Sequence, residues 1–141
     1  MRIVSALLLS AAICTPAAFA QSAPPACNGS IAIVRHSVIK PEASMDKFLA
    51  AVAAQKAWYE SHDRKDDMIF ATKMIVRDQA TGTQSYSATE ALTFHYYPAN
   101  AGSEPKHDAA WDAFVKLFAE SSTIKDSYFV CVPKEDVPMV M

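Results

Sequence analysis

The chain has 141 residues, 51% of them hydrophobic and 20% charged, with a net charge of −2. This composition suffices for a packed core and is too apolar for a disordered chain. The small acidic excess argues against nucleic acid or an anionic membrane surface as a partner.

Residues 1–20 read MRIVSALLLSAAICTPAAFA. One positive charge at Arg2 precedes an apolar stretch, Pro16 breaks it, and Ala18-Phe19-Ala20 forms a small-x-small site. This is the pattern of a cleavable signal peptide, with cleavage expected after Ala20. The alternative is an N-terminal anchor, but the apolar stretch is short for a bilayer. A lipoprotein reading of Cys14 is poor, because bulky Ile13 stands where a small residue is expected. Removing residues 1–20 leaves 121 residues, the size of one domain, and puts the mature chain in the periplasm or outside the cell. No later segment is apolar for long enough to span a membrane.

The mature chain begins with a polar, Pro-rich lead-in over residues 21–30. Its Asn28-Gly29-Ser30 triplet is a glycosylation acceptor only in a eukaryotic secretory pathway. Residues 31–39 (IAIVRHSVI) are β-branched and read as a strand, stopped at Lys40-Pro41-Glu42. Ser44 is a plausible N-cap for a helix running to about Tyr59. Met45, Phe48, Leu49, Val52 and Tyr59 recur on one face of that helix, and its alanines favour the conformation. Residues 68–76 and 91–97 read as two further strands, joined by a long polar loop over 77–90. A second helix spans 107–120, with Trp111, Phe114, Val115 and Phe118 on one stripe. Residues 128–132 (YFVCV) form a fourth strand, stopped by Pro133, and residues 134–141 read as a loose tail.

The order is β-α-β-β-α-β, the split βαβ arrangement of ferredoxin-like domains. The expected architecture is therefore α+β, a four-stranded antiparallel sheet with two helices on one face, over residues 31–133. In that topology the start of the first strand lies beside the end of the last. Cys27 and Cys131 occupy those places, and they are the two cysteines left once the leader is removed. A bridge needs Cα atoms within about 7 Å, which the topology supplies, and an oxidising compartment favours its formation.

The strand ending in Val38-Ile39-Lys40-Pro41-Glu42, the helix with Phe48-Leu49, and the segment His107-Asp108-Ala109-Ala110-Trp111-Asp112-Ala113-Phe114 carry a further likeness. On these residues the chain resembles the dimeric α+β barrel superfamily, which includes antibiotic-biosynthesis-type monooxygenases and stress-response barrel proteins. The resemblance spans about residues 30–133 and rests on element order and a few positions. It implies a homodimer paired through the sheets and a small apolar or aromatic ligand held between sheet and helices. Some members of that superfamily oxidise aromatic substrates without a bound cofactor, and no cofactor is expected here.

Four groups of residues could carry chemistry. His107 precedes Trp111 by one helical turn and is expected to point inward at a pocket mouth beside Trp111, Phe114 and Phe118. It would act there as hydrogen-bond donor or base, the alternative being a half-exposed residue at a helix start. His95 alternates with Thr93 and Tyr97, while Leu92, Phe94 and Tyr96 share the opposite face. The more apolar face is expected against the helices, which would place His95 on the side covered by a dimer partner. His36 and Arg35 point to opposite faces, and one of them must be partly buried if the sheet is covered on both sides. His36 and His95 lie on neighbouring strands and could be close, but no metal-ligand spacing accompanies them. Lys56 falls within the apolar stripe of the first helix, as a snorkelling lysine or a buried reactive amine. Trp58 falls off that stripe and is expected to be exposed at an oligomer contact.

No G-x-S-x-G, P-loop or dinucleotide fingerprint is present. Three readings follow. One is an exported barrel protein that binds a small apolar ligand. The second is a cofactor-independent monooxygenase using His107 and His95 as polarising groups. The third is a domain with a filled core and no pocket. A void beside Trp111, Phe114 and Phe118 separates the first two from the third.

Overall fold

The computed structural model describes residues 26–98 and 102–133. The leader, the start of the lead-in and the expected tail lie outside these residues. The elements are β1 (Gly29–Ile39), α1 (Met45–Ser61), β2 (Met68–Arg77), β3 (Gln84–Tyr97), α2 (Ala109–Ser121) and β4 (Ser122–Pro133). All strand pairs are antiparallel and the sheet order is β2-β3-β1-β4. The α+β architecture and the βαββαβ order therefore stand as expected. No helix among the described residues is long and apolar enough to cross a membrane.

Both helices start at caps written into the sequence. The Ser44 hydroxyl accepts from the Lys47 amide at 3.2 Å, and the Asp108 carboxylate accepts from the amides of Ala110 and Trp111 at 3.0 and 2.9 Å. These bonds satisfy amides that have no partner within the first turn. At the other end of α2, Lys40 reaches back from the β1–α1 turn. Its backbone N–H donates to the Ser121 carbonyl at 3.0 Å and its Nζ to the Ala119 carbonyl at 2.6 Å. The chain enters β4 directly from α2, so residues 122–127, which carry no clear strand pattern, are strand. β4 pairs with β1 along its length through a register shift between His36 and Ser37.

The β2–β3 connection is shorter than its polar composition suggests. Asp78 accepts from the amides of Ala80 and Thr81 and its carbonyl accepts from Gly82, which takes a φ of +72°. An L side chain rarely adopts that conformation. The expected long loop over 77–90 is thus a tight turn over residues 78–83, and β3 begins at Gln84. The loop looked long because Gln84 to Glu90 is polar; Gln84, Ser85 and Tyr86 pair with β2 at the exposed end of the hairpin, and a register shift between Lys73 and Ile75 follows.

Cys27 and Cys131 are bridged, with Cα atoms 5.6 Å apart. Gly29 sits just beyond, where β4 passes so close that an added Cβ would lie 2.1 Å from the Val132 carbonyl oxygen.

The core lies between α1, α2 and one face of the sheet. It is built from Ile39, Met45, Phe48, Val52, Trp58, Tyr59, Ile69, Ala91 and Phe114. Directly paired strand residues share a face, and the registers give rows across the sheet. Ile69, His95, Ile33 and Phe129 form one row, and Ala71, Thr93, Arg35 and Ser127 the next. The His95 ring packs on Tyr59 of α1 at 4.5 Å, so these rows face the helices. The expectation for the two faces is therefore reversed. Met68, Tyr96, Ala32 and Val130, then Phe70, Phe94, Val34 and Tyr128, form rows on the far side, with Phe70, Phe94 and Tyr96 stacked in parallel. The sheet can turn its apolar face away because the helices bring their own aromatic residues to the core.

Trp58 is likewise corrected. It is 3% exposed and its indole N–H donates to Asp108 Oδ1 at 2.8 Å, tying α1 to the cap of α2. Lys56 is exposed and pairs with Glu60 at 3.7 Å, so it is a surface lysine and not a buried amine.

Candidate functional site

Between α2 and the sheet lies a cavity of about 420 Å³. Its size is within the range of small-molecule sites. The roof is the stripe of α2 that spacing had marked: Trp111, Phe114 and Phe118, with Val115 beside them. Arg35 and Ser37 of β1 and Thr93 of β3 form the floor, Ile124 of β4 closes one side, and Gln55 enters from α1. α1 covers the β2–β3 half of the sheet, whereas α2 leans on α1. The β1–β4 half is left open, and Phe129 on the helix side is 75% exposed.

Polar atoms on the floor face this space. Ser37 is 3%, Thr93 7% and Gln55 8% exposed, and Arg35 is half-buried. Among the described residues none of the four side chains makes a hydrogen bond or ion pair, yet no buried side-chain N or O atom is sealed off without a partner. Their polar atoms therefore reach the cavity. Sequence reasoning did not single them out as site residues. Strand alternation puts Arg35 and Ser37 together, the β1–β3 register sets Thr93 opposite Arg35, and Gln55 continues the spacing of Phe48, Val52 and Tyr59. What was missing was the knowledge of which sheet face meets the helices.

The two candidate histidines lie elsewhere. His107 is exposed just before the Asp108 cap, its ring stacked on Trp111 at 3.6 Å, and it does not line the cavity. The inward direction expected from helical spacing fails because the helix proper starts after it, at Ala109. His95 lies in a separate polar cluster. Its Nε2 bonds to Asp67 Oδ2 at 2.9 Å, and Asp67 also accepts from Arg64 Nε and Nη2 at 3.0 and 2.9 Å. Burial holds the His95 pKa below the ordinary histidine value, against the opposing pull of Asp67. The Tyr59 hydroxyl donates to Glu104 Oε1 at 2.5 Å, and burial followed by that bond drives its pKa far above the ordinary phenol value. Arg64 lies over the rings of Tyr59 and Tyr97. The cluster braces the α1–β2 connection against the sheet. A second cavity, of about 340 Å³, lies between Arg64, Tyr97, Glu104 and the Cys27 end of β1.

His36 faces the far side of the sheet, between Glu90 at 3.2 Å and Asp126 at 3.5 Å, so it is separated from His95 by the sheet itself. Among the described residues no three His, Cys, Asp or Glu side chains converge as a metal site would require.

The geometry is thus an apolar roof over a polar floor, with the histidines outside. No family model, curated protein or solved structure matches this chain.

Proposed function

We propose that the chain is an exported ligand-binding protein that holds a small, largely apolar molecule between α2 and the sheet and pairs with a second copy of itself. The observation that carries the binding reading is the cavity of about 420 Å³ beneath Trp111, Phe114 and Phe118. A concave space of this size, lined by aromatic rings and a few polar groups, is the usual form of a small-molecule site. Export accords with the leader-like N-terminus and with a disulfide, which persists in oxidising compartments. The cofactor-independent monooxygenase alternative asks for a polarising group in the cavity, and neither His107 nor His95 lines it. Binding is therefore the reading adopted.

The self-association reading is supported by the outer face of the sheet. Phe70, Phe94, Tyr96, Val34, Tyr128 and Val130 form a contiguous apolar patch, with Phe70 44% and Tyr128 55% exposed. Four strands about 4.8 Å apart and eight residues long present roughly 500 Å² in projection, more once side-chain relief is counted. A standard interface takes about 800 Å² per partner. A second copy offers the same apolar face, and an interface of one patch against itself is the usual form of a homodimer, which makes a second copy the natural cover.

N-phenyl-1-naphthylamine, a neutral apolar dye, tests the binding reading. Its fluorescence is expected to rise with the mature, disulfide-bonded chain and to fall back in Phe118→Asp, which places a charge under the roof. An unchanged signal in a folded Phe118→Asp variant removes the cavity from consideration. Sedimentation tests the pairing: Phe94→Lys is expected to turn a dimer into a monomer, and a monomeric parent chain at micromolar concentration refutes it.

A further inference from the structure

The roof and the floor of the cavity differ in kind, and the floor carries one cation. Arg35 has no carboxylate beside it among the described residues. On the helix side Asp67 and Glu104 are committed elsewhere: Asp67 accepts from Arg64 and His95, and Glu104 from Tyr59. Thr93 stands directly across from Arg35 in the β1–β3 register, so a single group bridging the two strands can touch both. Ser37 lies two residues along the same face, and Gln55 adds a carboxamide from α1. All can donate, Arg35 can only donate, and Ser37, Thr93 and Gln55 are more than nine-tenths buried without a protein partner. With the Arg35 cation among them, these accessible donors suit a group that accepts several hydrogen bonds and carries negative charge.

We propose that the cavity takes a small amphipathic monocarboxylate, its carboxylate held by Arg35 and Thr93 and its apolar body against Trp111, Phe114 and Phe118. The inference rests on the ligand-binding reading and adds the chemical class. A guanidinium fork matches a carboxylate with two parallel hydrogen bonds. One cation neutralises one charge, which disfavours a doubly charged phosphate monoester in a space roofed by aromatic rings. The cavity volume leaves room for one or two fused rings or a branched chain beside the head group.

Calorimetric titration of the mature chain with three acid and amide pairs provides the test: phenylacetate and phenylacetamide, indole-3-acetate and its amide, 1-naphthaleneacetate and its amide. Each pair shares its apolar body and differs in charge. At least one acid is expected to bind about tenfold or more tightly than its amide, the scale of one charge-assisted bidentate contact. Arg35→Gln is expected to abolish that preference, bringing the acid to the affinity of its amide, while Trp111→Ala weakens both members of the pair. Equal binding of acid and amide overturns the carboxylate assignment and leaves the apolar cavity standing. A preference that survives in Arg35→Gln overturns the role of Arg35. No binding by any pair, together with no response to the neutral dye, removes the ligand-binding reading itself. The acid and amide comparison needs no variant, so a failure of Arg35→Gln to fold does not rescue the proposal.

Discussion

Breaking the Cys27–Cys131 bridge by Cys27→Ser with Cys131→Ser is expected to lower stability without changing the fold. The two cysteines are 104 residues apart in sequence. Closing a loop of that length removes about 16 cal/mol/K of chain entropy from the unfolded state, or about 4.7 kcal/mol at 25 °C. The native state gains little in return, because β1 and β4 are already hydrogen-bonded from Gly29–Pro133 to Ile39–Ser122. The cost therefore falls on the unfolded chain. Domains of this size have about 5–15 kcal/mol to lose, so the variant is expected to be marginal at 37 °C and its Tm to fall by about 20 °C. Urea titration of the parent and the double variant measures the loss, and the m-value should rise because the uncrosslinked chain exposes more surface. Amide exchange along β1 and β4 should keep its pattern under stabilising conditions. A loss below about 1 kcal/mol, with an unchanged m-value, refutes the reasoning, because it means that the unfolded chain holds its ends together unaided.

His95 gives a pH dependence. Its folded pKa is depressed by burial, so below about 6.5 the unfolded chain binds a proton that the folded chain resists. Stability is expected to be full above that value and to fall as pH drops, by up to about 1.4 kcal/mol per pH unit. Thermal melts between pH 7.5 and 5.5 check it, and a His95→Gln variant with the same slope as its parent would assign the effect elsewhere. Asp108→Ala removes a helix cap and strands the Trp58 indole N–H, so it is expected to destabilise the fold; Trp58→Phe leaves the cap intact and should lose less polar energy than that, and chemical denaturation ranks the two. Gly29→Ala should cost about 2 kcal/mol or more, because the new Cβ meets the Val132 backbone oxygen; a neutral result means that the β1–β4 contact is looser than drawn. Ser37→Leu adds bulk beneath Phe114 and Phe118: in a filled core it would cost about 1–3 kcal/mol, whereas over the cavity it should be neutral or stabilising and should displace the dye.

The element order, the Ser44 cap and the cysteine pair were legible because each has a local signature: β-branched runs, Ser44 before a periodic apolar segment, and cysteines at matching strand ends. The pocket-lining stripe of α2 was legible for the same reason. Three features were not. Trp58 looked exposed because it sits beside the main stripe of α1, but α2 crosses there and covers it. The Gln84–Glu90 stretch looked like loop because its exposed hairpin position imposes no apolar alternation. The faces of β3 were read in reverse, since alternation separates Leu92, Phe94 and Tyr96 from Thr93, His95 and Tyr97 without saying which set meets the helices. Apolarity usually decides that question, and here it misleads.

That reversal is also the physical origin of the cavity. The strands present most of their large rings, Phe70, Phe94, Tyr96 and Tyr128, on the side away from the helices, and Phe129 and Tyr97 on the helix side lie toward the Cys131 end of the sheet. On the helix side β1 and β3 contribute Ser37, Ala91 and Thr93, which are small, with Arg35 between them. Around α1 the deficit is offset by Phe48, Trp58 and Tyr59, which fill the core over β2 and β3. Beneath α2 it is not, because Trp111 and Phe114 turn toward Trp58, at 4.7 and 6.0 Å, and leave the floor below them uncovered. The residues that would close the void by hydrophobic packing have gone to the far face, where a second sheet can bury them. An apolar outer face and a polar-floored pocket are thus two consequences of one distribution of side-chain volume. A substitution that moved bulk from the outer face to the inner one would erode both the apolar outer face and the pocket, and this coupling separates the proposed arrangement from a chance void in an otherwise ordinary core.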